Sequence, residues 1–125
     1  HVEELWFNTR LKVMFGNVLR LGDYVYGSSG DFGPAFLTAV NVQTGEATWR
    51  ERGYGRVSLV HADGKAIILS EDGTLVLARL SPDGFTELAS AALFDTVAWT
   101  APTLVDTTLY VRDRARIIAL DLRAR

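Results

Sequence analysis

Val57-Ser-Leu-Val-His61-Ala-Asp63-Gly64-Lys65-Ala-Ile67-Ile-Leu-Ser70-Glu71-Asp72-Gly73-Thr74-Leu-Val-Leu-Ala78-Arg-Leu80-Ser81-Pro-Asp83-Gly84-Phe85-Thr-Glu-Leu88-Ala-Ser-Ala91 places three Asp-Gly pairs between four short apolar-rich segments. The segments Val57–His61, Lys65–Ser70, Thr74–Leu80 and Phe85–Ala91 have the length of strands. Asp-Gly supplies the positive φ angles that tight hairpins require, so each pair reads as a turn between antiparallel neighbours. The stretch therefore predicts a four-stranded antiparallel sheet.

The same layout recurs on both sides. Tyr26, Ile67 and Tyr110 each follow a turn inside an apolar run, at spacings of 41 and 43 residues. Ala39, Ala78 and Ala119 form a second series, spaced 39 and 41, and Trp6, Trp49 and Leu88 a third, spaced 43 and 39. The preceding unit reads as strands Val18–Leu21, Tyr24–Gly27, Ala35–Val42 and Ala47–Glu51. The following one reads as Thr100–Val105, Thr108–Arg112 and Ala115–Leu122, one strand short. No segment holds a 3.6-residue apolar period over a helical length; Ser90–Phe94, with its alanines, is the only tempting stretch. Four short antiparallel strands per period of roughly 40 residues is the signature of a β-propeller blade. The expected fold is all-β, with about three blades: residues 18–51, residues 56–91, and an incomplete blade over 99–122. Residues 2–9, with Trp6 in phase with Trp49, are expected to be the outer strand of a preceding or closing blade.

Composition removes several function classes. With 13 basic against 15 acidic residues, the chain lacks the basic field of a nucleic-acid binder. No apolar run approaches the ~20 residues that span a bilayer. Cysteine is absent, which excludes disulfides, thiolate metal sites and cysteine nucleophiles. The chain opens on His1 rather than Met and reads as a trimmed or processed product.

Ala39-Val-Asn41-Val-Gln-Thr44-Gly45-Glu-Ala-Thr-Trp49 resembles the blade motif of quinoprotein-like, pyrroloquinoline-quinone-type propellers, Ala-x-Asp-x-x-Thr-Gly-x-x-x-Trp, with Asn41 in place of the usual Asp. Thr44 and Gly45 form the turn between third and fourth strands, and the resemblance assigns Trp6 and Trp49 to docking between neighbouring blades. Ala78 and Ala119-Leu-Asp121 keep only part of the motif. Members of this family are longer, so the resemblance implies the closing blades of a larger propeller. It also implies a periplasmic or extracellular location in a bacterium. The quinone-dependent dehydrogenases of the family use a vicinal cysteine pair, carboxylate and amide calcium ligands and a catalytic Asp. This sequence has no cysteine and no matching acidic cluster, so no cofactor is expected, and no residue is assigned as catalytic, cofactor-binding or metal-binding.

Gly27-Ser28-Ser29-Gly30-Asp31-Phe-Gly33-Pro34 is the one glycine-rich loop. A phosphate cradle would open a helix, whereas Ala35-Phe-Leu-Thr-Ala-Val follows here and reads as a strand. The loop is therefore an elongated connection, suited to partner contact. His61 stands without a second ligand at metal spacing and reads as a packed or edge residue. Arg112-Asp-Arg114-Ala-Arg116 and the terminal Arg123-Ala-Arg125 read as solvated turn and tail.

In this fold type the fourth-to-first connections share a face with the second-to-third loops. That face is expected to gather Arg10, Lys12, Ser28, Ser29, Asp31, Arg52, Tyr54, Asp95, Trp99, Arg112 and Arg114. Mixed charge with Tyr and Trp suits recognition of a protein or polymer surface. The expected function is a non-enzymatic binding or scaffolding module, partnered by further blades of a parent propeller or by another copy of itself. Two alternatives stand beside it: a piece of a quinone-dependent dehydrogenase whose catalytic residues lie outside this chain, and a glycan-binding propeller stacking sugars on Tyr54 and Trp99.

Overall fold

The computed structural model describes residues 1–123, and everything regular in them is β. Eleven strands run in chain order: β1 Leu19–Leu21, β2 Tyr24–Ser29, β3 Phe36–Asn41, β4 Ala47–Glu51, β5 Val57–Ala62, β6 Lys65–Ser70, β7 Thr74–Ser81, β8 Gly84–Ala92, β9 Thr103–Val105, β10 Thr108–Arg112 and β11 Ile117–Asp121. They form three antiparallel meanders, β1-β2-β3-β4, β5-β6-β7-β8 and β9-β10-β11, and no sheet closes on itself. The expected strands appear within a few residues of their boundaries. Ser90, in the stretch that tempted a helical reading, lies in β8 instead. Residues 124 and 125 of the expected basic tail lie outside the described residues.

The turns show how local sequence sets the hairpins. Asp63 and Gly64 both take positive φ, 51° and 68°, as a mirror-image two-residue turn demands. Asp83-Gly84 departs from expectation. Ser81 pairs with Gly84, so Pro82 and Asp83 make the turn and Gly84 begins β8.

Two apolar clusters join the sheets. Leu37 of the first sheet packs with Val57, Leu59, Ile68, Val76 and Ala78 of the second, flanked by Leu19, Trp49 and Tyr54. Ile67 and Leu69, on the opposite side of the second sheet, pack with Leu109 and Val111 of the third, together with Phe94 and Ala98. Alternation along each strand sends neighbouring residues into different clusters, which is why Ile67 and Ile68 serve different seams.

That alternation corrects one expected series. Tyr26 pairs with Ala39, Ile67 with Leu77, and Tyr110 with Ala119. Leu77, not Ala78, therefore occupies the place of Ala39, and Ala78 turns toward the first sheet. Leu88 is likewise out of place. The ladder shifts between Leu77 and Ala78, Leu88 is skipped, and Ala89 pairs with Leu77 as Trp49 pairs with Ala39. The first sheet carries the same bulge, between Ala39 and Val40. The offset therefore comes from hairpins of unequal length: Tyr26 to Ala39 is 13 residues against 10 from Ile67 to Leu77, and Ala39 to Trp49 is 10 against 12 from Leu77 to Ala89.

Residues 2–9 differ from expectation too: they belong to no strand. They lie against the first sheet through side chains. The Trp6 indole Nε1 donates to the Val42 carbonyl at 2.6 Å, and Asn8 Nδ2 donates to the Gly45 carbonyl. Gly45 has φ 75°, and a Cβ there would fall 2.7 Å from the Trp6 ring, so glycine is required both for the turn and for the docked indole. Farther on, Leu11 and Val13 lie over Gly27, and the Asn17 side-chain amide exchanges hydrogen bonds with Leu59 N and O at 2.7 and 2.8 Å. Asn17 thereby satisfies backbone groups on the free edge of β5.

Candidate functional site

The long connections converge at one end of the sheets around Glu71, in the β6–β7 turn. Its carboxylate accepts from Arg56 N at 3.1 Å, from the Arg56 guanidinium at 3.2 Å and from Trp99 Nε1 at 3.1 Å. Its backbone is held as well: Glu71 N donates to Arg56 O at 2.8 Å, and Ala98 N donates to Glu71 O at 3.0 Å. Arg56 reaches on to the Asp31 carbonyl in the β2–β3 loop. Trp99 stacks on Phe15 with ring centroids 4.4 Å apart, and the Arg114 guanidinium lies 5.3 Å from its ring centre. One carboxylate thus ties together connections from all three sheets.

The electrostatics follow from this packing. Partial burial pushes the Glu71 carboxyl up, but the Trp99 N–H, the Arg56 amide and the Arg56 guanidinium together outweigh it and hold the group below the ordinary glutamate value. Glu71 is therefore an ionised, fully engaged acceptor. Tyr54 moves the other way. Burial, reinforced by its hydrogen bond to Glu87, raises the phenol to about 12, so it remains a donor, with its hydroxyl 2.6 Å from Glu87 Oε2. At the β10–β11 turn, Asp113 accepts from the Thr96 hydroxyl at 2.5 Å and from the Ala115 and Arg116 amides at 2.9 and 2.8 Å. The Thr96 bond leads the interactions that lower its pKa.

Of the expected face, Asp31, Trp99 and Arg114 meet in the Glu71 cluster, and Lys12 approaches Asp31 at 4.0 Å. Arg52 lies 5.2 Å from the Phe36 ring centre, beside Arg50 at 4.1 Å. It borders a groove of about 420 Å³ between the β2–β3 loop and Glu71. Asp95 is exposed in the β8–β9 connection, and Arg112 is exposed at the end of β10, its Nε donating to the Asp113 carbonyl at 3.2 Å. Arg10 lies apart, beside β4 with Asn8, Thr48 and Arg50. Tyr54 turns to Phe85 and Glu87 of the second sheet rather than to the loop end.

Ser28 and Ser29 correct the expectation outright. Both lie within β2 and are buried: Ser28 Oγ accepts from Val57 N at 2.9 Å, and Ser29 Oγ accepts from Lys12 N at 3.0 Å. A buried hydroxyl is retained because it satisfies a backbone amide, and here each one joins neighbouring segments instead of facing a partner. The residues that organise the cluster, Glu71, Arg56 and Phe15, were not singled out by sequence. The signal for Glu71 was its place in the short turn equivalent to the long glycine-rich loop.

The docking residues behave alike. Trp49 Nε1 donates to the Ser81 carbonyl at 2.8 Å, at the turn beginning β7–β8, as Trp6 does at the β3–β4 turn. Asn41 takes the acceptor role at the latter turn, its Oδ1 receiving Gln43 N and Thr44 N, while Thr44 Oγ1 receives Glu46 N. Among the described residues no three His, Cys, Asp or Glu side chains gather as metal ligands, and no helix is long and apolar enough to cross a membrane. Compared with known families and curated proteins, the sequence matches no family model and no curated protein.

Proposed function

We propose that the chain is an arc of a quinoprotein-like β-propeller, each sheet a blade, and that it works as a non-enzymatic binding and scaffolding module. The observation that carries this reading is the repeated indole seam. Trp6 enters the first sheet as Trp49 enters the second, N–H into a carbonyl at the third-to-fourth-strand turn. Residues 2–8 therefore stand toward the first sheet as β4 stands toward the second, yet their backbone pairs with no strand.

At the other end, the third sheet turns Val105, Tyr110 and Ile117 outward. Tyr110 is 41% exposed, whereas Tyr26 and Ile67, in the same register position beneath a following sheet, are 1% and 6% exposed. One surface is ready to receive a blade and the other carries an unpaired outer segment. Continuation of the arc buries both, through further blades of a parent propeller or through a second copy. In a twofold dimer, residues 2–8 stay docked on their own first sheet while pairing with β11 of the partner, giving a six-bladed ring.

The loop end, with Arg52, Asp31, Asp95, Trp99 and Arg112 around the Glu71 frame, is the recognition face of this module. A protein surface suits it better than a glycan, because the Tyr54 and Trp99 rings that a sugar would stack on are already engaged by Phe85 and by Phe15 and Arg114. Light scattering on the 125-residue chain tests the assembly. A dimer that dissociates on deletion of residues 1–9 is expected. A compact, stable monomer at micromolar concentration would overturn it.

A further inference from the structure

The seam between the second and third sheets lacks the indole that fills the seam between the first and second. In the first sheet the row facing the second runs Tyr26, Ala39, Trp49. In the second sheet the row facing the third runs Ile67, Leu77, Ala89. Ala89 stands where Trp49 stands, and a methyl group replaces a bicyclic ring. What remains there is a solvent-open cavity of about 500 Å³ whose apolar wall is formed by Ile67, Leu75, Leu77, Leu104, Leu122 and the exposed Ala89. Asp63, Lys65, Asp106 and Thr107 border it.

The acceptor side of the seam is also in place. Leu122 N donates to Thr107 O at 2.8 Å, just as Val42 N donates to Asp23 O at 2.8 Å. The pairs Tyr24–Asn41 and Thr108–Asp121 put Val42 and Leu122 one residue past equivalent ladder positions. The Leu122 carbonyl is thus the counterpart of the Val42 carbonyl that accepts the Trp6 indole.

We infer that this cavity is a binding site for a small planar aromatic molecule of the indole class: a fused apolar ring system bearing one N–H or O–H donor. Its size falls within the ~300–1,000 Å³ of small-molecule sites, and its wall is apolar with few polar groups at the border, as such sites require. Apolar lining left facing water is unfavourable, and a flat ring covers it as Trp49 covers the neighbouring seam. A donor on the ring supplies the hydrogen bond that Trp6 and Trp49 each make. The inference rests on strand register within one chain and is independent of whether the arc closes into a ring.

The test is a titration of the 125-residue chain with indole, followed by amide chemical shifts and by thermal unfolding. Saturable shifts clustered on Ala89, Ala91, Leu104 and Leu122, with a rise in Tm, are expected. Ala89→Trp fills the seam from within and should weaken indole binding by about tenfold or more, a difference of ~1.4 kcal/mol. Failure to saturate at millimolar indole, shifts centred elsewhere, or unchanged affinity in folded Ala89→Trp would each overturn the assignment. The shift map on the unaltered protein decides the matter even if the variant does not fold.

Discussion

Removing the Trp49 side chain measures how much of the fold rests on indole docking. The half-buried ring lies 5.8 Å from Tyr26 centroid to centroid, flanks the cluster that joins the first two sheets, and donates to Ser81 O at 2.8 Å. A fully buried Trp→Ala change costs about 3–5 kcal/mol. Half burial scales the area and cavity part to about 1–2 kcal/mol, and loss of the hydrogen bond adds about 1 kcal/mol. The expected loss for Trp49→Ala is therefore about 2–3 kcal/mol, which a domain of ordinary stability (about 5–15 kcal/mol) survives. Trp49→Phe keeps a ring but not the N–H, so about 1 kcal/mol of the loss should remain. Urea unfolding followed by far-ultraviolet circular dichroism reads both values, provided the slope with denaturant is unchanged. A Trp49→Ala loss below about 1 kcal/mol, the level of an ordinary surface change, would refute the docking role.

Two further outcomes are expected. Gly73→Ala should cost more than about 2 kcal/mol in the same urea assay, because φ is 90° and the new Cβ would lie 2.4 Å from the Phe94 carbonyl oxygen, where only backbone could yield. Glu71, held below its ordinary pKa in the folded state, contributes stability that is fully present above the unfolded-state value and is lost as pH falls through the lowered folded value. Glu71→Gln should therefore be less stable than the parent at neutral pH, and the gap should shrink with acidification; a gap independent of pH would count against the Arg56–Glu71–Trp99 linkage.

What the sequence disclosed and what it hid follow from the same alternation. Tyr26, Ile67 and Tyr110 were legible because each sits a few residues after a tight turn, where counting cannot drift; all three occupy one register position. Ala78 and Leu88 were not legible. They lie beyond hairpins of unequal length, the long β2–β3 loop against the short β6–β7 turn, and then 10 residues from Ala39 to Trp49 against 12 from Leu77 to Ala89. Ser28 and Ser29 looked like loop because small polar residues next to glycine favour turns. Their burial depends on Lys12 and Val57, 17 and 29 residues away. Glu71 was hidden for the same reason: its partners Arg56, Ala98 and Trp99 come from two other connections, and no local pattern announces a tertiary hub.

That hub bears on how the loop end can recognise anything. Loops that must be ordered on binding spend interaction energy on their own immobilisation, so affinity favours surfaces fixed beforehand. Here the β4–β5 connection, the β6–β7 turn and the β8–β9 connection are fastened through Glu71 by side-chain and backbone bonds alike. The β2–β3 loop joins through Arg56, and the segment before β1 joins through the Phe15–Trp99 stack. Arg52, Asp95 and Arg112 project from these connections or just beyond them, and are themselves exposed. For the binding module proposed above, a part-buried anchor with exposed charges mounted around it separates the two tasks: Glu71 fixes the frame, and the outer residues are left for a partner to match.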